Sequence, residues 1–198
     1  MKDFLSDIGG SGTPSPYEGK LLLATPGIND GSYFDRSIIY ICAHSEEGAI
    51  GLIVNQPMPM VEFDDLHENI GLKKSEIRIR PEILFGGPVD TGRGFVLHST
   101  EYSGKHSINL SDKLALNAST DILKSIALGD GPEKSLFVLG YAGWGPGQLE
   151  EEIKNNYWLT SDVQENILFD ASLDNKWECA LNSLGVSPQH LSYTTGQA

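Results

Sequence analysis

Apolar residues come in short runs separated by glycine, proline and charge. LLLAT after Lys20, SIIYICAH at 37–44 and AIGLIVN at 49–55 are nearly unbroken apolar stretches of strand length. SEEG joins the last two, so they read as a hairpin, and their lack of alternation predicts burial of both faces. The period changes in VEFDDLHENI at 61–70, where Phe63, Leu66 and Ile70 fall at helical spacing and Gly71 ends the pattern. EILFGGPV at 82–89 predicts a strand entering a Gly-Gly-Pro turn, and RGFVLHS at 93–99 the next strand. HSINL and KLALN, flanking Ser111-Asp112, suggest a second hairpin. A helix capped by Ser119 or Thr120 runs to Leu128 and stops at Gly129. SLFVLGYA at 135–142 predicts a buried strand, and QLEEEIKNNY at 148–157 a helix with Leu149, Ile153 and Tyr157 on one stripe. A last helix over 173–184 turns Leu173, Trp177, Ala180, Leu181 and Leu184 to the core.

Hairpins and helices alternate without a regular βαβ period. That predicts an α+β or mixed α/β fold: a compact mixed β-sheet or barrel-like sheet flanked by helices, with two intertwined subdomains as a variant. Residues 6–19 are rich in Gly, Ser and Pro. The expected organisation is a flexible N-terminal tail over 1–19, one domain over 20–187 and a C-terminal tail over 188–198.

Composition narrows the function classes. A chain of 198 residues with 39% hydrophobic residues needs no disulfide or metal to complete its core. Its 27 acidic and 14 basic residues give a net charge of −13, which opposes direct binding to nucleic acid and to anionic membranes. No apolar run approaches the ~20 residues of a membrane helix. MKDFLSDIGG lacks the pattern of a secretory signal, and Cys42 and Cys179 form no CxxC, so a cytoplasmic protein with reduced thiols is expected.

Candidate chemistry is sparse. Tyr141–Ile153, YAGWGPGQLEEEI, joins a strand to a helix through glycines, as phosphate loops do. Pro146 removes an N–H, no Lys or Arg lies in the turn, and Glu150, Glu151 and Glu152 occupy the first helical turn. A tight structural turn is therefore expected, with Trp144 plugging the core or lining a binding surface. GGSGT at 9–13 lacks the spacing and the strand-to-helix setting of a nucleophile elbow. Asp64, His67 and Glu68 lie within one helical turn, where they form a solvated flank or reach a common ion; no metal site or cofactor is expected. Lys73, Lys74, Arg78 and Arg80 make a basic cluster in which Ile77 and Ile79 alternate as on a half-exposed strand. Cys42 reads as a small buried hydrophobe, with His44 on the same strand face as a potential activator, and Cys179 as the more exposed thiol. Asp90, Arg93 and His98 flank the Gly-Gly-Pro turn, where Arg93 could clamp an anion and His98 move a proton.

Several separated segments occur in a distinctive order: FDRSIIYICAH, GAIGLIVNQP, LFGGPV, RGFVLH, GYAGWGPGQLEEEI with NNYWL, and ILFD followed by Trp177. Together they resemble the YqgE/AlgH family of small bacterial proteins, from Lys20 to Val186. The resemblance implies a compact mixed α/β fold and a cytosolic location. It supplies no catalytic residue, and one branch carries the label of a transcriptional regulator. The motif positions that carry over are Cys42, Gly51, Asn55, Pro57, Gly86, Gly87, Pro88, Arg93, Gly94, His98, Gly140, Tyr141, Gly147, Gln148, Leu149 and Glu150.

The function expected is non-enzymatic binding or regulation, with a protein or small-molecule partner. Its candidate surface comprises Asn55, Pro57, Gly86, Gly87, Pro88, Arg93, His98, Tyr141, Trp144 and Gln148. The alternative is an enzyme built on a pocket of Asn55, Arg93 and His98, with Cys42.

Overall fold

The computed structural model describes residues 15–28 and 33–187. Among these residues nine strands form the framework: β1 (Leu21–Ala24), β2 (Ile38–Ser45), β3 (Gly48–Ile53), β4 (Ile83–Phe85), β5 (Val89–Ser99), β6 (Ile108–Asn109), β7 (Leu114–Asn117), β8 (Ser135–Trp144) and β9 (Trp158–Ser161). They make one sheet in the order β6-β7-β5-β8-β3-β2-β1-β9, with β4 on β8 beside that path. Every ladder is antiparallel except β4 on β8. The sheet curls: Leu114 and Leu116 of β7 share one core cluster with Leu21 and Leu23 of β1, near the opposite end of the order. This is the expected α+β architecture with a barrel-like sheet.

Among the described residues, three α-helices cover the sheet: α1 (Thr120–Leu128), α2 (Gln148–Lys154) and α3 (Leu173–Ser183). Trp177, Ala180 and Leu181 of α3 pack with Ile167 and Leu168 of a π-helical turn against Tyr40, Leu52, Phe95 and Val138. On the other face of the β5–β8 half, Ile122, Ile126 and Ala127 of α1 meet Val96, Phe137 and Leu139. On that face of the β1–β3 half, Leu149 of α2 meets Leu22, Ile39, Ile41 and Ile53. The α1 termini follow from sequence: Ser119 is extended at the N-cap, and Gly129 at φ 88° supplies the left-handed C-cap.

The Gly-Gly-Pro segment has a topological origin. Residues Phe137–Leu139 of β8 pair with β4 on one edge and with β5 on the other. The chain must therefore cross β8 between Phe85 and Val89. Gly86 N–H donates to Leu139 O at 2.7 Å, and Gly86 O accepts from Ile53 N–H at 2.9 Å. A Cβ on Gly86 would sit 2.2 Å from Gly140 O, one on Gly87 2.1 Å from the Tyr141 carbonyl carbon, and one on Gly140 2.4 Å from Gly87 O. One backbone lies directly on another, and only glycine permits that approach.

Some expected elements differ. Residues 61–70 form no α-helix but a single 3₁₀ turn, Phe63–Leu66. Glu62 N–H donates to the Asp65 carboxylate at 3.2 Å and closes that turn, while Asp64, Asp65, His67 and Asn69 are weak helix formers. Phe63 and Ile70 are buried all the same, so the apolar spacing serves docking onto the α1 cluster. Ile77–Arg80 is not a strand: Arg78 N–H and Ile79 N–H both donate to Ala127 O, at 2.8 and 3.1 Å. Tyr157 lies beyond α2, in an exposed position after Asn156 at φ 58°, so the helical stripe ends earlier than its period suggests. β8 extends through Trp144, which places Gly143 in the strand instead of the turn.

Tail assignments over 1–14 and 188–198 lie outside the described residues. Ser15–Gly19 lies against β2, where Gly19 N–H donates to Ile41 O at 2.9 Å and the Tyr17 ring meets His44 edge-on at 5.2 Å.

Candidate functional site

The end of β8, the turn Gly145–Gly147, α2 and the start of β9 form one unit. Gly147 adopts φ 73°, which reverses the chain into α2. The Gln148 side chain holds that turn by accepting from Gly145 N–H at 3.0 Å. Gln148 also donates to Glu152 Oε1 at 2.9 Å, one helical turn along. The other carboxylate oxygen of Glu152 accepts two indole N–H bonds, from Trp144 and from Trp158, both at 2.8 Å. The two indoles meet edge to face at 6.3 Å, and Phe34 meets Trp158 in the same manner at 6.1 Å. Each ring edge points at a neighbour's face, the arrangement that aromatic quadrupoles favour.

Beside this cluster opens a cleft of about 450 Å³. Phe34, Val89, Trp144, Tyr157 and Trp158 supply its apolar wall, and Gln148 and Glu152 its polar groups. Among the described residues, the lining contains no Lys, Arg or His. Val89 and Tyr157 remain 39% and 42% exposed, so apolar surface continues from the cleft onto the outside. Such a site suits an apolar group carrying positive charge: aromatic faces and the Glu152 carboxylate attract it, and among the described lining residues no fixed cation competes.

Of the sequence-derived surface, the structure gathers Pro88, Trp144 and Gln148 at this cleft. Gly86, Gly87 and Tyr141 form the backbone crossing nearby. Pro57 bridges to Leu84 beside β4. Asn55 is buried and braces the chain: its Oδ1 accepts from Ile38 N–H at 2.7 Å and its Nδ2 donates to Arg36 O at 2.9 Å. The Arg93 guanidinium stands over the Phe95 ring at 5.4 Å. His98 is fully buried, its Nδ1 bonded to Ser99 O at 2.9 Å and its Nε2 to Ser107 Oγ at 3.0 Å. Burial lowers its pKa, so the ring is held neutral. Asn55 bonds to the Arg36 and Ile38 backbone and His98 to Ser99 and Ser107, so the two belong to separate networks.

The thiols separate sharply. Cys42 is 1% exposed, and burial pushes its thiol far above the usual range, with Glu18 adding to the shift. His44 does not share its face. A β-bulge shifts the β2–β3 register between Ile41 and Ala43, so Cys42 and Ala43 both join the α3 side of the core. That extra residue turns His44 toward α2, where its Nε2 lies 2.8 Å from Glu150 Oε1, in ion-pair range but without the alignment of a hydrogen bond. Cys179 is exposed. In the basic cluster, Arg80 pairs with Asp64 at 2.7 Å and Arg78 donates to Leu128 O at 3.3 Å.

Sequence reading missed Glu152 and Trp158. Glu152 has a weak signal, lying one turn after Gln148 on the helix that follows Trp144. Trp158 stood only inside the segment NNYWL, and the four-residue β9 is too short to show a period that would point it to the site.

Comparison with known proteins places this chain. A family profile described as AlgH-like matches residues 21–189. A UPF0301 protein of Paracoccus denitrificans is 46% identical over 183 residues, covering 91% of this chain and 96% of that one. Another from Agrobacterium fabrum is 47% identical over 189 residues, covering 92% and 93%. The solution structure of the AlgH protein from Pseudomonas aeruginosa superposes with a TM-score of 0.74 at 38% identity, over 94% of this chain and 100% of that one. A crystal structure from Corynebacterium diphtheriae shares the fold at a TM-score of 0.67 and 19% identity, over 87% and 89%. By extent, identity and architecture, the chain belongs to the AlgH-like family.

Proposed function

We propose that this protein is a non-enzymatic binding protein with a regulatory role. Its cleft between Trp144, Trp158 and Tyr157 receives a cationic side chain flanked by apolar residues, presented by a protein partner. The observation that carries the reading is the Glu152 carboxylate. It is bonded by two indoles and Gln148 and, among the described residues, forms no ion pair and sits in a cleft without a basic residue. A cationic group laid on the aromatic faces would complete its charge, and the −13 net charge would steer a basic partner toward it.

This role operates in the cytoplasm and without direct reading of DNA. The unpaired thiols support the first, and the net charge and the occupied arginines of the basic cluster support the second. Among the described residues, no helix is long and apolar enough to cross a membrane.

The test is an NMR titration of the Trp144 and Trp158 indole N–H signals with two capped tripeptides, Leu-Arg-Leu and Leu-Glu-Leu. Saturable shifts with the arginine peptide alone, lost in Glu152→Gln, are expected. Equal shifts with both peptides, or none, would refute the reading.

A further inference from the structure

Lys176 lies on the core stripe of α3 and is 1% exposed. Its Nζ donates to Leu168 O at 2.7 Å and to Val54 O at 3.3 Å. No carboxylate lies within ion-pair distance of it among the described residues; Asp170, an acidic group that it senses, pairs with Lys134 at 3.2 Å. Two acceptors satisfy both hydrogens of a neutral amine and leave its lone pair free. An ammonium there would keep one buried N–H without a partner, which disfavours the charged form. Burial lowers the group to about 8, against the smaller opposing pull of Glu82 and Asp170. Geometry and burial agree on an amine that is readily neutral.

Lys176 also lines a cavity of about 440 Å³ between α3, β4 and the loop after α1. Leu84, Leu136, Phe169 and Leu173 form its apolar wall, and Glu82 and Glu133 are its acidic groups. We propose that Lys176 is an imine-forming residue that receives a small uncharged aldehyde or ketone in this cavity. A desolvated lysine in an apolar pocket is how proteins activate an amine toward carbonyl compounds. The lone pair attacks the carbonyl carbon. The C=O bond breaks as C=N forms, and the oxygen leaves as water with the two hydrogens that had bridged to Val54 and Leu168. No oxidant or reductant is required. Glu82 and Glu133 disfavour an anionic 2-oxo acid, so the ligand class is neutral. This site is separate from the tryptophan cleft, and either proposal can fail alone.

The experiment treats the full native chain with propanal or pyruvate and sodium cyanoborohydride, which fixes any imine as a stable secondary amine by adding hydride to carbon. Peptide mapping then compares Lys176 with the other lysines. Propanal should modify Lys176 about tenfold faster than the average lysine. Pyruvate should show no such preference, and urea-unfolded protein should lose it. Lys176→Arg keeps a buried donor but forms no imine, and should abolish the fast site. If that variant fails to fold, the map of the parent protein alone decides. Native Lys176 reacting no faster than surface lysines, or reacting only in urea, would overturn the proposal; a preference for pyruvate would overturn its neutral ligand class.

Discussion

Gly86, Gly87 and Gly140 lie where one backbone crosses another; Gly143, Gly145 and Gly147 lie where a strand gives way to a helix. In sequence the two groups look alike. In space they differ. At the crossing, each added Cβ would penetrate to within 2.4 Å of a backbone atom. At the strand end, the nearest atom to a Cβ on Gly143 is 3.8 Å away, and on Gly145 3.9 Å. Gly147 has open space around it but φ 73°. Glycine thus serves two purposes within one chain, close approach and left-handed backbone, and at Gly143 and Gly145 it serves neither. The crossing joins both halves of the sheet, whereas the strand end frames an open cleft that an incoming group can enter without moving backbone.

The largest effect should come from Gly87→Ala. No flexible side chain can yield there, because the obstacle is the Tyr141 backbone at 2.1 Å. A loss of more than about 4 kcal/mol is expected, read by urea denaturation, in the range reserved for severe core or backbone conflicts. Parent-like stability would mean that the crossing slides freely, and the contrast between the regions would fall. Next comes Trp144→Ala, with an expected cost of roughly 3–5 kcal/mol, because the indole is 7% exposed and bonded to Glu152. An unchanged melting temperature would mark Trp144 as a surface contact only. Gly147→Ala should cost about 1 kcal/mol from its left-handed backbone, and Gly147→Asn less. Gly143→Ala should stay within about 0.5 kcal/mol of the parent, since neither space nor dihedral forbids a methyl group. Chemical denaturation of these two variants side by side separates dihedral strain from crowding.

Local patterns were legible where neighbours in sequence are neighbours in space. The β2–β3 and β6–β7 hairpins and the Ser119-to-Gly129 helix each carry their own turn or cap. Residues 61–70 were not, because their apolar positions pack by docking and the intervening residues hold only one turn. Parity failed at Cys42, where one inserted residue reverses every later side chain of β2. At the candidate site, Trp144, Gln148 and Pro88 stood out by type and setting. Their partner Glu152 was hidden in a run of three similar glutamates. Lys176 was legible in principle: it sits three residues after Leu173 and four before Ala180, on the stripe whose other members were assigned to the core.

Strand β8 bears on the order in which the sheet can be made. β4 and β5 are joined by only three residues, yet they share no ladder, because β8 lies between them. β3 likewise meets this half of the sheet through β8 and through Gly86. On a ribosome, the first three strands can pair among themselves as they emerge and β5 can pair with β7, but β4 and the other edge of β5 must wait for Ser135–Trp144. Until that strand is threaded beneath the Gly86–Pro88 bridge, about half of the sheet has unpaired edges, a state prone to wrong pairing and to capture by chaperones.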